Sequence, residues 1–371
     1  MNVSPVNAKF THITRNVKAP LKQEAISNPV KKTALMSTAT ASAIAAAAMV
    51  NVQDKKVPTQ KELENKLLSV GYVKNENRNC FDRKTHPEKE LKLYDELYGR
   101  GSDVYLSNVM SLSQDDVKSF VDFLNIDPKL GAKMYHKHFD NLLTMFCNVK
   151  YNNQISLFQD KTFYKMITDT IVNMPDEKTL KAFHQYKGKV YEEGVAKTAQ
   201  SYLRGNSPES KNDKNVQDFI NTISSYIDTQ KVPEGSKIYR GERFYVLDNV
   251  KLQDGKDFNL TELMKKASES KNYNDIQNVK EFIKNQQPTA TQPAFMSASL
   301  TSEGEFNRKG WIFWELDVEP DTKGVYLDGM NTSFYTFQQE LLLQKGSKIK
   351  IEDANYDSSR DVWYLKGKVS N

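Results

Sequence analysis

Residues 333–351 read SFYTFQQELLLQKGSKIKI, and the fold depends on the junction in its middle, where a polar triplet meets an apolar run. Gln338, Gln339 and Glu340 directly precede three leucines, residues 341–343. A short apolar run of this kind is consistent with a buried strand. The polar residues at its start are then either a solvated turn or the reactive edge of a sheet.

The chain around this strand divides into a helical part and a later part rich in strands. From about residue 61 to 230 apolar residues recur at helical spacing, and Ser113 is a predicted N-cap with Asp116 three residues later. After Pro233, short segments rich in β-branched and aromatic residues alternate with turn signals, and one partly helical insertion spans residues 254–285. The sequence therefore predicts an α+β fold. The predicted strand segments are SKIYRGERFYV (236–246), PAFMSASL (293–300), GWIFWELDV (310–318), GVYLDG (324–329), QQELLLQ (338–344), SKIKIEDANY (347–356) and DVWYLKGKV (361–369).

Composition and charge exclude several classes of protein. The chain has 371 residues, of which 38% are hydrophobic, so it is long enough to bury a sizeable core. Its 52 basic residues are mixed with 47 acidic ones and the net charge is only +5, so nucleic acid is not expected as a partner. Cys80 and Cys147 are far apart, and His136 and His138 would point to different sides of a helix. Neither a disulfide framework nor a metal site is predicted.

The first 55 residues differ from the rest and are predicted to be a flexible export or targeting segment. Residues 33–50, TALMSTATASAIAAAAMV, are uncharged and rich in Ala, Ser and Thr. This region begins late for a secretory signal peptide, and its small residues carry little transfer free energy for a transmembrane span. The composition resembles the export signals of proteins injected by bacterial type III secretion systems. We therefore expect a secreted protein that acts in the host cell cytoplasm, with a secretion chaperone as a partner of this segment.

Three side chains in the strand-rich part are candidates for chemistry: Arg240 in IYRG, Ser297 in FMSASL and Glu340 in QQELLL. Each alone has an ordinary structural explanation. Their order resembles the Arg-Ser-Glu class of mono-ADP-ribosyltransferases, the ADP-ribosyltransferase exoenzyme family. The segment TLKAFHQYKGKVYEEGVAKTAQSYLRGN (179–206) is similar to that family's helix pair, and residues 302–351 are similar to its cofactor loop, core strands, toxin turn and catalytic strand. The resemblance covers roughly residues 176–371.

The resemblance implies a fold and a division of the chain. The core would consist of two packed, mainly antiparallel sheets with flanking helices. The divisions are a flexible segment at 1–55, a helical accessory region at 56–175 and a catalytic domain at 176–371. The chain has SAS at residues 297–299 where the family usually has Ser-Thr-Ser. Ala298 should be tolerated because alternate residues of a strand face opposite ways.

The resemblance also implies NAD as co-substrate, no metal, and a role for each residue. Cleaving the bond to nicotinamide leaves an oxocarbenium-like ribose cation, so Glu340 would stabilise mainly the transition state. Ser297 would orient Glu340 or the nicotinamide ribose. A guanidinium suits a diphosphate because its fork presents several donors at once. The residues expected to hold NAD are Arg240, Arg308, Arg204 and Ser297, with Phe306 stacking on nicotinamide from a position two, rather than three, residues before Arg308.

The polar triplet would then be the reactive edge, with the leucines anchoring its strand and the glutamines meeting solvent and substrate. The resemblance associates Gln338, two residues before Glu340, with acceptors other than arginine, and matches Tyr335 to the aromatic residue of the target-recognition turn. It implies a secreted toxin or effector, active in virulence, that modifies an Asn, Thr or Gln of a host protein such as a Rho-type GTPase, ubiquitin or actin. Two alternatives keep the fold: a binding module without transferase activity, and a phage-encoded transferase that acts on bacterial proteins.

Overall fold

The computed structural model describes residues 56–83, 111–151, 154–187, 194–302, 312–330 and 339–371. Helices dominate the part before residue 230. They are α1 Gln60–Ser69, α2 Gln114–Leu124, α3 Pro128–Lys137, α4 Phe139–Tyr151, α5 Lys161–Val172, α6 Glu177–Lys187, α7 Val195–Leu203 and α8 Lys214–Asp228. Two more helices, α9 Leu260–Ser270 and α10 Tyr273–Gln286, form the predicted helical insertion in the later part.

Helix starts in the first part follow local capping chemistry. Ser113 accepts a hydrogen bond from the Asp116 backbone N–H, and the Asp116 carboxylate accepts one from the Ser113 backbone N–H. Thr59 and Glu62 make the same reciprocal pair before α1. Each pair satisfies two backbone donors that helix geometry leaves unpaired. The N-cap predicted at Ser113 is confirmed. After α2 the chain forms two consecutive helices, since α3 ends at its C-cap His138 and α4 begins at Phe139.

A small antiparallel sheet in the helical part was not predicted. Its strands are β1 Tyr72–Asn75, β2 Cys80–Arg83 and β3 Leu112–Ser113, in the order β1-β2-β3. Strands of four, four and two residues are too short to show a clear period-two pattern in the sequence.

The carboxylate of Asp82 ties this small sheet together. It accepts hydrogen bonds from Arg78 Nη2 at 2.6 Å, Asn75 Nδ2 at 2.9 Å and Ser111 Oγ at 2.9 Å. Burial acts to raise the pKa of Asp82, but the hydrogen bonds outweigh it and lower the pKa from 3.8 to about 2. The ionised form of Asp82 therefore stabilises the folded chain.

The later part of the chain forms a ten-stranded sheet in the order β10-β11-β8-β4-β9-β13-β12-β7-β5-β6. Every neighbouring pair is antiparallel except β13 with β9. One registered pair, Tyr239 with Ser299, links β8 to β4, so β10, β11 and β8 form a nearly separate group. The α+β prediction is confirmed. The strands are β4 Lys237–Glu242, β5 Val250–Lys251, β6 Asp257–Phe258, β7 Thr289–Gln292, β8 Met296–Ser299, β9 Ile312–Val318, β10 Gly324–Tyr326, β11 Glu340–Leu343, β12 Ser347–Asp357 and β13 Val362–Ser370.

Different apolar layers cover the two faces of β11. Leu341 and Leu343 belong to a large cluster that also contains buried residues of α1–α5, α9 and α10. Leu342 belongs to a second cluster formed with α6, α7 and α8. Because alternate strand residues face opposite ways, Glu340 shares the face of Leu342 and points to the α6–α8 side. None of the described helices combines the length and apolar composition needed to cross a bilayer.

Candidate active site

Strand β11 lies between β10 and β8, and it places Glu340 at the edge of the sheet where strands begin or end. Glu340 is the first residue of the strand, lies opposite Ser299 of β8 and is only 6% exposed. The residue before it, Gln339, has a left-handed backbone conformation with φ of 46°. Gln339 is fully buried, and its side-chain oxygen accepts a hydrogen bond from the Tyr326 hydroxyl. The expectation that both glutamines meet solvent is therefore wrong for Gln339, because its left-handed backbone and the Tyr326 hydroxyl hold its side chain in the core.

A buried lysine contacts Glu340, and sequence reasoning missed it. Lys187, at the end of α6, donates from Nζ to Asp328 Oδ1, and its Nζ lies 3.6 Å from Glu340 Oε2. Asp328 Oδ2 accepts a hydrogen bond from the Glu340 backbone N–H at 3.1 Å. Burial lowers the pKa of Lys187 to about 8, although the charge of Glu340 and its hydrogen bond act to raise it. The two hydrogen-bonded pairs join residues 141 and 12 positions apart, so no local pattern signals them.

Ser297 lies on β8, beside β11, in register with Leu342. Its hydroxyl is 2.9 Å from the Tyr186 hydroxyl, and Gln200 Nε2 donates to that same tyrosine hydroxyl at 2.9 Å. Gln200 also donates to the Phe295 carbonyl at 3.2 Å. Among the described residues, no hydrogen bond joins Ser297 to Glu340. The structure instead fixes Ser297 through α6 and α7, the two helices that cover this face.

Arg240 on β4 is anchored at two of its three nitrogens. Its Nε donates to Glu242 Oε2 at 2.9 Å, and its Nη1 donates to the Ser297 carbonyl. Glu242 is 3% exposed and also accepts hydrogen bonds from Gln292 and Trp314. Burial acts to lower the pKa of Arg240, but the Glu242 carboxylate outweighs it and holds the pKa above its ordinary value. The guanidinium is thereby fixed next to the strand that carries Ser297.

Arg204 is the C-cap of α7, one helical turn after Gln200. Its Nε is buried and has no hydrogen-bond partner among the described residues. The Gln200 Oε1 atom is likewise buried without a partner within the described part of the chain. A buried unpaired guanidinium nitrogen is costly unless something supplies an acceptor. An anionic group could supply an acceptor for Arg204 Nε, whereas Gln200 Oε1 needs a donor.

The remaining predicted residues cannot be placed in this geometry. Phe306 and Arg308, predicted to hold NAD, and Tyr335 and Gln338, predicted to recognise the acceptor, lie outside the described residues, as does the whole segment 1–55. Of the predicted site, the structure brings Arg240, Ser297 and Glu340 together on the neighbouring strands β4, β8 and β11.

Comparison with known families identifies the fold. A family model described as ADP-ribosyltransferase exoenzyme matches residues 157–368, more than half of the chain. The chain belongs to the ADP-ribosyltransferase exoenzyme family. The family implies NAD as co-substrate and NAD-dependent mono-ADP-ribosyl transfer as the activity. The match begins before the predicted domain start at residue 176 and takes in α5, while the boundary itself stays a prediction.

Solved structures of ADP-ribosyltransferases are similar to the chain at low identity. C3stau2 from S. aureus, solved with NAD, is 17% identical, with 55% of this chain and 92% of that chain covered and a TM-score of 0.43. Plx2a, a toxin from Paenibacillus larvae, is 22% identical, with 56% of this chain and 90% of that chain covered and a TM-score of 0.39. An ADP-ribosyltransferase from Clostridium botulinum is 18% identical, with 60% and 94% covered and a TM-score of 0.39. No curated protein matches the chain in sequence.

Proposed function

We propose that this ADP-ribosyltransferase is a secreted toxin or effector that transfers ADP-ribose from NAD to a non-arginine side chain of a host protein. The observation that carries the proposal is the convergence of Arg240, Ser297 and Glu340 on adjacent strands, with Glu340 at the edge of the sheet. A binding module without activity has no need of a buried carboxylate at that position, since an unused buried charge costs stability.

Two guanidinium groups of the described chain are suited to the NAD diphosphate. Arg240 Nη2 has no hydrogen-bond partner among the described residues, and Arg204 Nε is buried without one. Both can donate to phosphate oxygens while Glu242 holds Arg240 in place. Arg308 and Phe306 would complete this binding set from the segment that precedes β9. NAD supplies an ADP-ribosyl group whose bond to nicotinamide breaks as positive charge develops on the ribose.

Glu340 is proposed to stabilise that positive charge. The carboxylate sits on rigid backbone, because the Glu340 N–H donates to Asp328 and the Glu340 carbonyl accepts from the Leu327 N–H at 2.9 Å. A preorganised negative charge of this kind acts mainly in the transition state, which raises the rate rather than the affinity for substrate. Ser297, fixed by its contact with Tyr186, would face the nicotinamide ribose.

The acceptor is proposed to be an asparagine first, then a threonine or glutamine. Gln338 has a neutral amide that can orient an acceptor amide or hydroxyl by hydrogen bonds but cannot serve as a base toward guanidinium. Tyr335 would contact the target protein. As the acceptor atom bonds to the ribose carbon, nicotinamide leaves and the acceptor gives up one proton. A Rho-type GTPase or ubiquitin is the kind of protein we propose as target, reached in the host cell cytoplasm.

Labelling a host lysate tests this function. The full chain is incubated with biotin-labelled NAD and the lysate, and the labelled protein and residue are identified by mass spectrometry. We expect labelling of a discrete host protein on asparagine, threonine or glutamine. Labelling on arginine would refute the acceptor class while leaving the enzyme class intact. A parallel bacterial lysate distinguishes the phage-type alternative, which predicts discrete labelling there and not in the host lysate.

A further inference from the structure

The deepest charge cluster of the described chain surrounds Glu340. Lys187, Asp328 and Glu340 are 3%, 3% and 8% exposed at their side chains. Lys187 bonds to Asp328, Asp328 bonds to the backbone of Glu340, and Lys187 Nζ stands 3.6 Å from Glu340 Oε2. Three different elements thus supply the cluster: the end of α6, the turn Asp328–Met330 after β10, and the start of β11. The predicted catalytic residues do not include Lys187 or Asp328.

We propose that Lys187 and Asp328 form a buried ion pair that positions Glu340 for ADP-ribosyl transfer, which makes Lys187 a positioning residue of this enzyme. The inference rests on the proposed role of Glu340. Lys187 contacts only Oε2, and Glu340 Oε1 has no hydrogen-bond partner among the described residues. Within the described part of the chain, one carboxylate oxygen is therefore held by Lys187, and the proposal places substrate at the other.

The charges of the cluster explain why both partners are needed. Two buried carboxylates near each other repel, which is unfavourable unless a positive charge compensates them. Lys187 lies closer to Asp328 than to Glu340, so the two charges of the ion pair largely cancel. The single negative charge that remains is placed on Glu340, next to the reacting ribose. Without Asp328, Lys187 would cancel the charge of Glu340 instead.

The same arrangement predicts the pH dependence of the reaction. Burial lowers the pKa of Lys187 to about 8, so the ammonium is present below that pH and is lost above it. Asp328 and Glu340 are the charged groups that contact Lys187 in the described part of the chain. On elements packed nearby, His184 of α6 is exposed, and Lys165 and Asp169 of α5 pair with each other at the surface. We expect the rate of nicotinamide release to fall as pH rises through about 8.

A double-mutant cycle separates positioning from a merely structural role. Lys187→Met should lower kcat for NAD hydrolysis on the order of tenfold to a hundredfold at pH 7, as loss of a group that orients a reactive side chain does. It should also abolish the fall in rate above about pH 8, because methionine has no proton to lose there. Asp328→Asn keeps an oxygen for the Glu340 N–H and should also lower kcat. The double variant, with neither ion, should exceed both single variants in kcat.

Several outcomes would overturn the inference. It fails if Lys187→Met keeps the wild-type kcat and pH profile, or if the double variant is no more active than the weaker single variant. Should Lys187→Met not fold, Lys187→Arg is the second test. It must keep activity at pH 7, and its rate must no longer fall as pH rises through about 8, since arginine does not deprotonate. If Glu340→Gln loses activity while Lys187→Met keeps it, the positioning role of Lys187 is refuted and the proposed role of Glu340 is not. A wild-type protein that releases no nicotinamide at any pH overturns the proposed function and the positioning role together.

Discussion

Replacing Arg240 with lysine separates the structural and ligand-binding roles of one guanidinium. In the structure Arg240 donates to the buried Glu242 carboxylate at 2.9 Å and to the Ser297 carbonyl. Lysine keeps the positive charge and can replace one of these hydrogen bonds but not both. A hydrogen bond to a charged group is worth about 1.5–3 kcal/mol. At about 2–4 °C per kcal/mol, the melting temperature should fall by roughly 3–12 °C.

The affinity for NAD should fall as well. Lysine lacks the fork that lets one side chain hold Glu242 and a phosphate oxygen at once, so we expect NAD to bind on the order of tenfold more weakly, about 1.4 kcal/mol. Calorimetric titration with NAD beside a melting curve measures both effects. The matched control is Gln292→Met, which removes two hydrogen bonds to Glu242 and leaves Arg240 in place. The control should lower only the melting temperature. Unchanged NAD affinity in Arg240→Lys would show that this guanidinium is purely structural.

Three further predictions concern the acceptor, the N-terminal segment and acid stability. Gln338→Glu should reduce protein labelling more than NAD hydrolysis, because water needs no positioning; equal loss of both activities would mean that Gln338 does not orient the acceptor. A chain that starts at Val57 should retain NAD hydrolysis in vitro, and loss of that activity would mean that residues 1–55 contribute to the catalytic fold. Asp82→Asn should be less stable than wild type at pH 7, with the difference shrinking as pH falls from 3.8 to about 2, where the native carboxylate takes up its proton. Thermal melts across that range measure it, and a constant difference would contradict the ionised role of Asp82.

Local signals in the sequence were sufficient for most elements of the fold. The Ser113 cap, strand β4, strands β8 to β13 and the helical insertion each rest on residues close together in the chain, whereas β5, β6 and β7 were not predicted. The order Arg240, Ser297, Glu340 placed the three strands of the site, although the sequence could not show that β8 lies between β4 and β11. The order of strands in a sheet depends on contacts between distant segments. The spacing of apolar residues and the strand propensity of each segment do not reveal these contacts.

The features that sequence reasoning missed depend on such distant contacts. A lysine at the end of a helix, such as Lys187, is ordinarily exposed. Lys187 is buried because α6 packs against β11. Gln339 is polar, yet a left-handed turn and the Tyr326 hydroxyl allow its burial. The context of Arg240 predicts a phosphate-binding role, but its anchor could not be predicted. Arg240 is held by Glu242, which itself accepts from Gln292 and Trp314, and these contacts depend on the register of β4 with β9 and on the position of β7.

The most direct test of the account is nicotinamide release from NAD by the wild-type chain and by Glu340→Gln. The variant keeps the shape of Glu340 and removes its charge, so it should fold normally and lose on the order of a hundredfold or more in rate. Glu281→Gln, an exposed position on α10, is the matched control and should keep the wild-type rate. Near-wild-type release by Glu340→Gln, with the same melting temperature, would contradict the central claim that this carboxylate at the edge of the sheet carries the chemistry.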